Sequence, residues 1–111
     1  MIELIILNHL NSKLNVPVSL EKPSTQTGTY VVFEKTSSDK TNHLPSATFA
    51  FQSYGKSLYD AVVLNEQVKT AVEDLILLDE IRGLDLNGDY NFTDRSTKEY
   101  RYQAVYNIRY Y

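Results

Sequence analysis

Asp85, Asn87, Asp89 and Asn91 recur at every second position, a spacing that invites a metal ion. A calcium loop of the EF-hand kind needs oxygen ligands at positions one, three and five, glycine at six and a bidentate glutamate at twelve. Counted from Asp85, glycine falls at four (Gly88) and Ser96 stands at twelve. The solvent face of a strand produces the same alternation, and that is the simpler reading. Zinc is no better served, because cysteine is absent and the two histidines, His9 and His43, fall in a helical pattern and in a polar break. Neither a metal nor another cofactor is expected.

Acid–base and nucleophilic chemistry lacks its parts as well. There is no GxSxG elbow to present a serine, and Gly28, Gly55, Gly83 and Gly88 are too scattered to cradle a phosphate. Glu73-Asp74 and Asp79-Glu80 pair carboxylates only in sequence, since neighbouring helical residues point in diverging directions. The chain is not expected to be an enzyme.

What remains is a binding chemistry. From Lys98 to Tyr111 (KEYRYQAVYNIRYY), Tyr100, Tyr102, Ala104, Tyr106, Ile108 and Tyr110 alternate with Arg101, Gln103, Val105, Asn107 and Arg109. Such a period-two pattern is a long strand with one aromatic face and one face carrying two arginines. Tyrosine with arginine is the pairing that interface hot spots favour. The tyrosine side is expected to be the core face, which leaves Arg101 and Arg109 for contact. Stacking on single-stranded nucleic acid is a competing use of the same residues.

Several other elements must position this strand. Ile2, Ile5, Ile6, Leu10 and Leu14 recur at helical spacing, which predicts an amphipathic helix over residues 2–14, its stripe widened by Leu4 and Leu7 and its end forced before Pro17. Val16 to Leu20 reads as a short edge strand flanked by prolines, followed by a polar turn at Ser24 to Gly28. Thr29 to Thr36 and Ser46 to Tyr54 read as strands, joined by a polar loop over residues 37–45. Ser57 caps a helix spanning 57–78, roughly 33 Å long. Ile81 to Phe92 alternates like a strand with a bulge near Gly83 or Gly88, and residues 93–97 make a turn.

The order is therefore α-β-β-β-α-β-β. Short links between consecutive strands favour an α+β fold, a mainly antiparallel sheet with both helices packed on one face. The 111 residues fit a single domain, residues 1–111, and the hydrophobic fraction of 42% suffices for one core. The net charge of −3 argues against a general nucleic-acid binder. No run approaches the ~20 apolar residues of a membrane span, and the absence of cysteine suits a reducing cytosol.

In element order, and in the stretch Asp89-Tyr90-Asn91-Phe92-Thr93-Asp94 followed by Lys98-Glu99-Tyr100-Arg101-Tyr102-Gln103-Ala104-Val105-Tyr106, the chain resembles the tail terminator proteins of long-tailed bacteriophages and prophages. These are also called tail completion or tail-to-head joining proteins. The resemblance implies a virion-assembly protein, made in the bacterial host cytoplasm and placed at the head–tail junction. It implies self-association into a ring, a hexamer whose subunits can be monomers in isolation, that caps the tail tube and presents a surface to the head connector. The tail-tube protein and the head-connector protein would be its partners. On that reading Asp39, Lys40 and His43 make contacts from a projecting loop, and Arg101 and Arg109 make contacts between subunits. Another connector component (a head-completion, stopper or minor capsid protein) and a small cytosolic nucleic-acid-binding or regulatory domain are the alternatives.

Overall fold

A computed structural model describes residues 1–22 and 28–111. Two helices and five strands follow one another as α1 (Ile2–Lys13), β1 (Val18–Ser19), β2 (Tyr30–Thr41), β3 (Leu44–Gly55), α2 (Leu58–Glu73), β4 (Ile81–Asn91) and β5 (Tyr100–Tyr110). The strands form one sheet in the order β1-β2-β3-β5-β4. Among the described residues only the β1–β2 pairing is parallel. The α+β expectation and the element order hold. Of the polar turn expected at 24–28, residues 24–27 lie outside the described residues.

Alternation decides which face of the sheet is buried. Val31 and Phe33 of β2, Phe49 and Phe51 of β3, and Ala104, Tyr106 and Ile108 of β5 join one core with Ile2, Ile6 and Leu10 of α1 and Leu64, Val68 and Val72 of α2. Both helices therefore cover the same face. The aromatic side chains interlock, with the Phe33 and Phe51 rings stacked at 5.5 Å and Tyr106 edge-on to Phe51 at 6.1 Å. Burying each such ring stabilises the fold by about 1.5–3 kcal/mol. The tyrosine side of β5 is thus core, as its period predicts. In α1, Leu4 is 52% exposed and does not belong to the buried stripe.

The Ser57 hydroxyl accepts a hydrogen bond from the Asp60 amide at 3.1 Å and starts α2. Gly55, just before it, lets β3 run directly under the helix start, since a Cβ there would stand 2.5 Å from the Ala61 nitrogen. The helix is shorter than its stripe suggests. At Asp74–Leu77 it tightens into a 3-10 turn, which keeps Leu75 buried while Leu78 turns extended toward β4.

Two expectations about the sheet need correction. Residues 37–45 are not a loop. β2 continues to Thr41, β3 begins at Leu44, and Asn42 (φ 51°) and His43 (φ 67°) alone make the reversal. Asp39 and Lys40 are strand residues and His43 sits in a two-residue turn. The polar composition hid the strand because both faces of β2 beyond Phe33 are open to water, so no apolar alternation marks it. The second correction concerns β4. Bulges do occur beside Gly83 and Gly88, at Arg82 and Asn87, and each switches the faces of the residues beyond it. Leu84 and Leu86 lie on the helix side, opposite Ile108 and Tyr106, whereas Tyr90 lies on the other side, opposite Gln103. The strand expected at 16–20 pairs only at Val18 and Ser19.

Candidate interface on the open face of the sheet

No helix or strand among the described residues lies over the second face of the sheet, although Tyr30, Val32 and Tyr54 are buried together at one end of it, and its side chains form rows that run across the strands. One end is aromatic and cationic. Tyr30 opposes Tyr54, which opposes Arg101, and the two tyrosine rings stack at 4.5 Å. The Arg101 guanidinium lies 4.6 Å from the Phe92 ring centroid and donates through Nε to the Phe92 carbonyl at 2.7 Å. Lys22 lies over Tyr54 and pairs with Glu99, a hydrogen bond that raises the Lys22 pKa above its ordinary value.

The next row, Val32-Gln52-Gln103-Tyr90, completes a directional chain. Arg101 Nη1 donates to the Tyr54 hydroxyl at 3.0 Å, and that hydroxyl donates to Gln52 Oε1 at 3.3 Å. Gln52 Nε2 donates to Gln103 Oε1 at 2.9 Å, and Gln103 Nε2 donates to the Tyr90 hydroxyl. Each donor polarises the next, so the chain behaves as one unit. It fixes the side chains of three strands without a hydrophobic cover.

A shallow middle row follows, Glu34-Ala50-Val105-Gly88. Beyond it Ser37, Thr48, Asn107 and Asp85 share a row in which Thr48 donates to Asn107 Oδ1 at 2.6 Å. The last row is ionic, Asp39-Ser46-Arg109-Gly83. Arg109 lays its guanidinium on the backbone of Gly83, where a Cβ would stand 2.5 Å from Nη2, and donates through Nη1 to Asp85 at 2.6 Å. Glycine at 83 thus lets an arginine from the second strand in reach the outermost strand.

The five residues singled out from the sequence are divided by this geometry. Arg101 and Arg109 are both on the open face but at opposite ends of β5, roughly 27 Å apart. Asp39 shares a row with Arg109, and both line a recess of about 370 Å³ with Ser37, Ser46, Thr48 and Asn107. Lys40 opposes Pro45 near the tip of the β2–β3 hairpin, and with Asp39 and His43 it lines a second recess of about 580 Å³ that also includes Tyr110 and Tyr111. Arg101 is brought to none of the others.

Asp85 and Asp89, the acids of the alternating run, are parted by the bulge. Asp85 pairs with Arg109 on the open face, while Asp89 turns to α2 and accepts from Asn65 Nδ2 at 2.8 Å and Lys69 Nζ at 2.6 Å. Burial works against the Asp89 carboxylate, but the Lys69 and Asn65 bonds outweigh it and hold its pKa below the ordinary value. His9 is likewise engaged, donating from Nε2 to the Ala71 carbonyl at 2.8 Å across the two helices. Among the described residues no three of His, Cys, Asp and Glu gather as metal ligands, and no helix is long and apolar enough to cross a membrane.

Gln52, Gln103, Tyr54 and Tyr90 were not singled out from the sequence. The available signal was a pair of glutamines, each at an open-face position of a strand that is otherwise core on alternate residues. No protein-family model matches the chain, and no curated protein does either.

Proposed function

We propose that this chain is a structural subunit that assembles with copies of itself into a ring, in the manner of a phage tail terminator. Its work is docking. A ring seated on the last layer of a tail tube occupies the surface on which the next tube subunit would add, and offers its other side to the head connector. The observation that carries this reading is the sheet's pair of unlike lateral edges. β4 offers Ile81–Asn91 on one side, and β2 offers its length beyond Val32 on the other, with no further strand beside either among the described residues. Unlike patches on one subunit are what a closed ring requires, because each contact is heterologous. The exposed apolar residues Leu86, Tyr90 and Phe92 on or just after β4 give one edge something to bury.

Electron microscopy of the purified protein in negative stain tests the ring, and closed particles of uniform diameter are the expected result. A monodisperse monomer by light scattering at high concentration, together with fields free of rings, would reject it. The tail-terminator assignment has its own test. The protein is expected to copurify with tail-tube protein and to stop tube growth when added to a polymerising preparation. Copurification with the portal complex alone would move it to the head-completion or stopper class.

A further inference from the structure

The two open edges of the sheet match one another. With antiparallel steps from β2 to β3 to β5 to β4, strands β2 and β4 run in opposite directions. A second copy laid beside β4 with its helices on the same side therefore presents its β2 antiparallel to β4. That is the more stable of the two ways to extend a sheet.

Over the stretch that would pair, residues 83–91 against 33–41, each edge carries one extra residue, Thr36 in β2 and Asn87 in β4, and the other β4 bulge, at Arg82, lies just beyond it. A bulge reverses the faces of everything beyond it, so a bulged edge cannot stay in phase with a regular partner. Here the two reversals cancel, and side chains match helix face to helix face at both ends of the contact. Hydrogen-bonding polarity agrees too. Phe92 donates its amide inward to Arg101, and Val31 donates outward to Pro17. By the alternation of an antiparallel ladder, the helix-side residues are the outward-pointing ones on both edges.

β1 fixes the register. It occupies the β2 edge at Val31 and Val32, so an incoming β4 can pair no further back than Phe33. We propose that the β4 edge of one copy pairs antiparallel with the β2 edge of the next, Asn91 opposite Phe33, Asp89 opposite Lys35 and Asp85 opposite Asp39, so that the sheet runs on from copy to copy. This rests on the ring reading above and supplies its strand-level contact. Charge supports the register. Lys35, which pairs with Glu3 at 3.2 Å within its own copy, joins the Asp89–Lys69 cluster on the helix side, the Tyr90 hydroxyl at the end of the directional chain meets Glu34, and the Arg109 guanidinium over Gly83 lies beside both Asp85 and the incoming Asp39. The roles of Asp39 and Arg109 as contact residues then follow from one pairing.

Because the chain has no cysteine, engineered disulfides report on this contact without background. Asp39 and Asp85 are exposed, and within one copy three strand spacings separate them, about 14 Å, too far for a disulfide. Across the proposed contact they form a close pair, with Cα atoms about 4.5 Å apart. The double variant Asp39→Cys/Asp85→Cys, mildly oxidised, is expected to give a ladder of covalent oligomers on a non-reducing gel. Asp39→Cys/Leu86→Cys, which puts the thiols on opposite faces, is expected to stay at least tenfold less cross-linked. Equal cross-linking of both pairs, or none of the first, overturns the edge contact. If the unaltered protein still forms rings in the microscope, the ring reading survives that failure. A strong Asp39–Asp85 ladder that grows into open filaments would instead keep the edge contact and remove the ring.

Discussion

Asp89 ties the outermost strand to α2 through two hydrogen bonds, and its depressed pKa makes that tie sensitive to acid. A carboxyl with a folded pKa below its unfolded value stabilises the fold above the unfolded pKa, near 3.8, and loses that contribution as pH falls through the folded one. Melting temperature is therefore expected to drop below about pH 5, and Asp89→Asn to drop less over the same range. Lys69, raised by its bonds to Asp89 and Glu66, loses its share of the same cluster only as pH climbs through its elevated pKa. An Asp89→Asn variant whose acid limb is as steep as the parent's would remove Asp89 as the cause. In the open-face chain Gln103 is 8% exposed and bonds on both sides. Gln103→Leu takes the partner from Gln52 Nε2 and the donor from the Tyr90 hydroxyl and is expected to cost about 1–3 kcal/mol, seen as a lower denaturant midpoint at unchanged slope.

The β2–β3 hairpin shows what the sequence makes legible at the level of an element. Val31, Phe33, Phe49 and Phe51 announced their strands because one face is buried, and α2 announced itself through its stripe and Ser57. The continuation over residues 37–41 stayed hidden because backbone pairing to β3 holds it while its side chains meet water. The Asn87 bulge was visible only as a glycine nearby, and its effect, sending Asp89 to α2 and Tyr90 to the open face, needs the partner strand to be seen. The turn at Asn42-His43 asks a histidine to adopt φ 67°, a conformation glycine adopts at about 1 kcal/mol less. His43→Gly is expected to raise the melting temperature by a few degrees, and a lower value would mean that the imidazole stabilises the turn. Hydrogen exchange should divide the element. Amides of β3 facing β5 are expected to exchange slowest, and those of residues 38–41 fast in a dilute monomer but slower in the assembly.

At the scale of the whole molecule, an ionic row at one end of the sheet and a polar edge opposite an apolar one would make the proposed assembly respond to salt. The proposed contact between Lys35 and Asp89 of the next copy would be partly exposed, so raising ionic strength from about 0.05 to 0.5 M is expected to shift light-scattering mass toward the monomer, while Leu86→Ser does so at any salt. Insensitivity to both changes would place the contact elsewhere. One further consequence lies in the strand order. β5 is inner in the sheet yet follows β4 in the chain, so during translation β4 emerges from the ribosome with no neighbour to lie against. The nascent polypeptide can close the β2–β3 hairpin early, but the β4 edge of the proposed contact exists only once β5 has been synthesised and slotted between β3 and β4. A partly made chain thereby lacks the β4 half of the proposed contact.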